Sequence, residues 1–157
     1  MKLALFVCLL VLSSCDKGLI PPPASTSATL SGSIHFVGVP KDSVQLLLVV
    51  LVPQSPPFLA STLLGGYLSG AILGYSLSST TFHDTTYSII VKPDSNYRYL
   101  AVAQKYGSDF TKDWHAIGFA HDTKDSATIF RLKPGEIRTG VDIVVRFDSL
   151  PRQPFIQ

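Results

Sequence analysis

The chain is poor in cysteine, with two in 157 residues, and poor in charge, with 15% of residues Asp, Glu, Lys or Arg. It has a single tryptophan. Cys8 and Cys15 alone cannot supply a disulfide framework, and they form no CxxC pair for zinc or redox work. A net charge of +2 with no basic run leaves no electrostatic footprint for nucleic acid. Neither GxSxG nor a phosphate-cradling GxxxxGKS or GxxxxGKT occurs. His35, His83, His115 and His121 form no HExxH or other zinc spacing. His115 and His121, on or just past one strand, would sit about 20 Å apart. No serine has a neighbour that suggests activation by a base. These absences argue for a protein that is not an enzyme and uses no cofactor or metal.

What is present begins at the N-terminus. Met1-Lys2 supplies one positive charge, Leu3 to Leu12 is an unbroken apolar run, and Ser13-Ser14 are small. This is the layout of a secretory leader, 1–14. The run is too short for a span, which needs about twenty apolar residues. Leu12-Ser13-Ser14-Cys15 resembles the lipobox of bacterial lipoproteins. The resemblance implies a diacylglyceryl group on the Cys15 sulfur, with cleavage just before it. Cys15 is then the lipid-attachment residue and the first residue of the mature chain. Cys8, its only thiol partner, leaves with the leader, and acylation excludes Cys15 as a nucleophile. The expected location is the cell envelope, anchored to a membrane by lipid and facing the periplasm or the exterior.

Residues 15–29 read as a lipidated tether. Proline, serine, threonine and alanine dominate, and Pro21-Pro22-Pro23 favours extended polyproline II. From 30 to 148 the pattern is β. Ile34 and Phe36 share one face of a strand at 33–37. Val44 to Val52 is apolar almost throughout, so this strand is expected to be central and covered on both faces. Further strands are expected at 70–77, 86–91, 97–104, 114–120, 128–132 and 141–147. Tyr97, Tyr99, Ala101 and Ala103 are placed on one face. Residues 55–66 read as a short helix with Ser55 as N-cap, Pro56 in the first turn and Gly65 or Gly66 at the stop. The sum is an all-β fold: a single antiparallel β-sandwich of about seven to eight strands with a short helical insert. Residues 149–157 read as a tail. A rival reading takes Phe58 to Leu77 as a membrane span. No charge occurs there, and Gly66, Gly70 and Gly74 recur at every fourth position.

HDTTYSIIVKPDSNYRYLAVAQKYG, 83–107, resembles the second hairpin of transthyretin-like domains, including the regulatory-like domain of carboxypeptidases. Asp84, Tyr87, Pro93 and Tyr97 carry the match. Thr86 and Ser95-Asn96 stand where the family has glycines, and Asn96 is the residue there suited to left-handed backbone. LKPGEIRTGVDIVVRF, 132–147, resembles the final turn and strand. The resemblance implies a sandwich that hosts many roles.

The loop KYGSDFTKDWH, 105–115, is the candidate ligand-binding element. It offers Tyr106, Phe110 and Trp114 beside Asp109, Asp113 and His115. Aromatics next to carboxylates can form a sugar platform or a weak calcium site. The alternative is that Trp114 fills the core and the aspartates shape turns. Tyr97 and Tyr99 are read as core. The function expected is a lipid-anchored, non-catalytic envelope module that recruits or holds a protein partner. The alternative is a carbohydrate- or ion-binding module using the 105–115 loop, and a third reading is a structural accessory domain without a ligand.

Overall fold

A computed structural model describes residues 26–77, 82–123, 126–127 and 129–154. The expected leader, Cys15 and most of the expected tether lie outside the described residues. Among the described residues the chain forms two four-stranded sheets packed face to face, with one short helix. The first sheet has β1 (Ala28–Val37) between β4 (Thr85–Val91) on one side and β9 (Ile137–Arg138) and β10 (Ile143–Arg146) on the other. The second runs in the order β3 (Leu73–Ser76), β2 (Leu46–Val52), β5 (Tyr99–Lys105), β6 (Trp114–Phe119). A small hairpin, β7 (His121–Thr123) with β8 (Ser126–Ala127), stands apart. The helix α1 (Ala60–Leu68) lies between β2 and β3 in sequence.

The core between the sheets follows from period-two alternation. Leu30, Ile34, Tyr87, Ile89, Ile143 and Val145 point inward from the first sheet. Leu47, Val49, Leu51, Leu100, Val102 and Ile117 meet them from the second. Burying each such side chain stabilises the fold by about 1.5–3 kcal/mol. β2 is covered fully on its inner face and in part on its outer one. Its odd-numbered residues enter this core, while Val52 and Val50 belong to a second, smaller cluster with Phe58, Ile72 and Tyr99.

The structure corrects several expectations. β4 is antiparallel to β1, but β9 and β10 run parallel to it. Alternation records which face a residue takes and carries no strand direction. β1 begins at Ala28, which is 2% exposed, so Ala28 and Thr29 of the expected tether belong to the sheet. α1 starts at Ala60, with Leu59 rather than Ser55 at the N-cap and no capping side chain. It runs through Gly65 and Gly66 and stops at Ser69, where Gly70 takes a left-handed φ of 73°. Phe58 to Leu77 is therefore a short helix followed by β3, and no helix among the described residues is long and apolar enough to cross a membrane. Of the strand expected at 128–132, the described residues 129–132 form one bridge, between Phe130 and Tyr97. Tyr97 packs in the inter-sheet core and Tyr99 in the outer cluster, so the two do not share a face. In the 92–96 turn the positive φ, 59°, belongs to Asp94 rather than Asn96.

Asp84, just before β4, ties that strand to β1. Its Oδ2 lies 2.9 Å from His35 Nδ1, and its Oδ1 accepts a hydrogen bond from the Phe36 N–H at 3.2 Å. The His35 contact first, and then the Phe36 N–H, hold its carboxyl below the usual 3.8. A depressed carboxyl contributes stability above its unfolded pKa and loses it as pH falls through the lower folded value. Asp109 and Glu136 are lowered too, by hydrogen bonds from Thr111 and from the Lys133 N–H respectively. Urea melts are expected to show a midpoint that falls between about pH 5 and about pH 3, with a shallower fall in Asp84→Asn. An identical acid slope in that variant would remove Asp84 from the explanation.

Candidate functional site

The outer face of the second sheet is where the fold opens. Residues of β2 and β5 that do not enter the core point away from it on this side. Register pairs Leu48 with Ala103, Val50 with Ala101 and Val52 with Tyr99, and Ala103 also pairs with Ala116 of β6. The floor so formed is apolar and, along β5 and β6, built of small side chains.

α1 stands over one end of this floor. Phe58, Ile72 and Leu63 pack onto Val52, Tyr99 and Ala101. Phe58 meets Tyr99 edge-on at 5.3 Å between ring centroids, and Tyr99 stacks on Phe119 at 6.0 Å. Gly66 lets the helix sit close, since a Cβ there would come within 2.7 Å of Ile72 Cδ1. The C-terminal segment closes one side. Gln153 caps the free edge of β6, accepting the Ala116 N–H at 2.9 Å and donating back to the Ala116 carbonyl at 3.1 Å. The Phe58 N–H donates to the Pro154 carbonyl at 2.6 Å. The expected tail is therefore part of the site's wall.

The 105–115 loop forms the opposite end. Between it and α1 lies a cavity of about 420 Å³, within the range of about 300–1,000 Å³ usual for small-molecule sites. Leu63, Leu64 and Tyr67 of the helix face Phe110, Thr111, Lys112, Trp114 and His115 of the loop across it.

The candidate residues of the loop divide into two groups. Trp114 and His115 line the cavity, whereas Tyr106, Asp109 and Asp113 shape the loop. Trp114 is half-buried in the cavity wall, outside both core clusters. Its Nε1 donates to the Phe110 carbonyl at 2.7 Å, and the two rings meet edge-on. Asp109 Oδ1 accepts from the Thr111 N–H at 2.8 Å and from Thr111 Oγ1 at 2.6 Å. Asp113 Oδ2 accepts the Asp109 N–H at 2.8 Å. Tyr106 stacks on His115 at 4.1 Å, and His115 Nε2 lies 3.8 Å from Asp42 Oδ2. Beneath the loop Lys105 is almost buried, with Nζ donating to Gln45 Oε1 at 2.7 Å and to the Gly107 carbonyl. Both aspartates thus spend acceptor capacity on their own loop, and among the described residues no group of three or more His, Cys, Asp or Glu could hold a metal ion.

The floor of the site comes from residues read only as core: Leu48, Val50, Tyr99, Ala101 and Ala103. The signal for it lay in Tyr99-x-Ala101-x-Ala103. A covered strand face that turns from a large residue to small ones leaves volume that a neighbouring layer must fill or leave open.

No protein-family model matches the chain, and no curated protein or solved structure matches it.

Proposed function

We propose that the chain is a lipid-anchored, non-catalytic binding module of the cell envelope, and that its binding element is the cleft between α1 and the second sheet. The observation that carries this reading is the cavity itself: apolar side chains from β2, β5 and α1 and the rings of Phe110 and Trp114, closed at one side by Gln153 and Pro154. Such walls favour an apolar body over a sugar, whose hydroxyls need many polar partners. Asp109 and Asp113 do not line the cleft.

A second reading, capture of an apolar segment of an envelope protein, is supported by Leu59 at the start of α1 and Leu68 at its end, which are 54% and 76% exposed. The lipid on Cys15 would in either case hold the module at a membrane surface.

The test uses the mature chain, residues 15–157, made without the leader and so without lipid. N-phenyl-1-naphthylamine, a neutral dye that fluoresces in apolar surroundings, is expected to bind the wild type with a blue-shifted emission. Ala103→Trp fills the cleft from its floor and is expected to weaken dye binding at least about tenfold, the equivalent of about 1.4 kcal/mol. A urea melt checks that the variant is folded. Dye binding that survives Ala103→Trp in a folded protein would place the apolar site elsewhere.

A further inference from the structure

We propose that the Tyr99 hydroxyl is the polar anchor of this cleft, and that the ligand is a neutral apolar molecule carrying one acceptor oxygen of the ester or ketone type. The proposal rests on the cleft reading above and names its ligand class.

Tyr99 lines the cavity and is 9% exposed. Its ring is held by Phe58 and Phe119, yet its hydroxyl makes no hydrogen bond among the described residues. A buried hydroxyl without a partner is costly and is uncommon in native structures. Tyr87 shows the usual solution, its hydroxyl donating to the Val141 carbonyl at 2.5 Å. Burial pushes the Tyr99 phenol up to about 12, so it remains a proton donor at neutral pH.

Three of the other polar side chains around the cavity are already committed. Thr111 Oγ1 donates to Asp109, Trp114 Nε1 to the Phe110 carbonyl, and the Gln153 amide is paired with the backbone of Ala116. Tyr67 also lines the cavity but is 42% exposed, so Tyr99 is left as the buried hydroxyl available to a ligand. Charge at the rim decides the head group. Lys112 Nζ lies 3.9 Å from Asp109 Oδ2, and His115 Nε2 lies 3.8 Å from Asp42 Oδ2. The Lys112 ammonium and the His115 ring each face a carboxylate, so an anionic head would meet no uncompensated positive charge, and burying it would carry a desolvation penalty. An uncharged acceptor meets neither objection.

The experiment displaces N-phenyl-1-naphthylamine from the mature chain with three probes: methyl decanoate, sodium decanoate and decane. Methyl decanoate is expected to compete best. Tyr99→Phe removes only the hydroxyl, and it is expected to raise the inhibition constant of methyl decanoate about five- to tenfold while leaving that of decane unchanged. Equal losses for the ester and the alkane would show that Tyr99 acts by packing alone and overturn the proposal. So would an unchanged constant for the ester, or stronger competition by decanoate than by its ester. Failure of the dye to bind the wild type would overturn the cleft reading itself, a different outcome from dye binding that ignores the Tyr99 hydroxyl.

Discussion

Gly32→Ala is expected to destabilise the fold by about 3 kcal/mol or more, at or beyond the upper end of the usual cost of overpacking. Gly32 lies in β1 opposite Tyr87 of β4. The chain leading from β9 to β10 crosses over it. A Cβ at position 32 would lie 1.9 Å from the Val141 carbonyl oxygen and 2.4 Å from its carbon. These are backbone atoms, so no rotamer change relieves the clash. Moving Val141 away would break two bonds, that from its N–H to the Ser31 carbonyl at 3.2 Å and that from the Tyr87 hydroxyl to its own carbonyl. It would also disturb the parallel pairing of β10 with β1. Gly65→Ala is the control. Nothing lies within 4 Å of a Cβ there, and the position is inside α1. Alanine in a helix is favoured over glycine by about 1 kcal/mol, so this change should raise the midpoint slightly. Urea melts of the three proteins read both effects. A Gly32→Ala midpoint equal to the wild type would mean that the 139–142 segment does not lie across β1.

The same crossing explains what could and could not be read from the sequence. β4 and β10 were legible because each has one face on the core: Tyr87, Ile89 and Val91 are buried, as are Ile143, Val145 and Phe147. The central place of β2 was legible because an unbroken apolar run needs cover on both faces. The parallel direction of β9 and β10 was not, since it depends on a chain crossing permitted by one glycine. The helix boundary was misplaced for a related reason. Ser55 and Pro56 have the local chemistry of a helix start, but Phe58 is drawn onto Tyr99 and its N–H onto Pro154, far along the chain. Its glycines split in role: Gly66 serves packing against Ile72, and Gly70 takes the left-handed turn.

The candidate site was half legible. The 105–115 loop was found through its aromatics and acids, and Trp114 and His115 do line the cavity. The acids were misleading as ligand groups because Asp and Asn also stabilise turns by accepting local N–H bonds, which is what Asp109 and Asp113 do here. The floor was hidden because Leu48, Val50 and Ala103 are ordinary core residues by composition. What makes them a site is the distance between a helix and a loop separated by some forty residues of chain, spanned by no local pattern.

Cys15→Ala is expected to abolish acylation completely. The lipid-anchor proposal makes Cys15 the only attachment point, because Cys8 is removed with the leader. Anchoring by acyl chains is steep in their number: one myristoyl chain binds membranes with a constant of only about 10⁴ M⁻¹, and stable attachment takes two signals. Loss of a diacylglyceryl group is therefore an all-or-none event for mature protein. In cells fed labelled palmitate, the wild type and Cys8→Ala should carry label and enter the detergent phase on partitioning. Cys15→Ala should carry none and keep its leader at this cleavage site. A labelled Cys15→Ala protein, or one trimmed to the wild-type N-terminus, would end the anchor proposal. The anchor and the cleft then bear on each other. On the anchor proposal, a tether of roughly 3 Å per residue from Cys15 to β1 would reach tens of ångström at full extension, and so would keep the cleft near the bilayer without fixing its orientation. Neutral, ester-bearing apolar molecules are concentrated at that surface and scarce in water. An apolar cleft with one hydrogen-bond donor would gain from the anchor mainly through this local concentration. The unacylated mature chain should consequently keep its intrinsic affinity for methyl decanoate and lose only its access to the membrane pool.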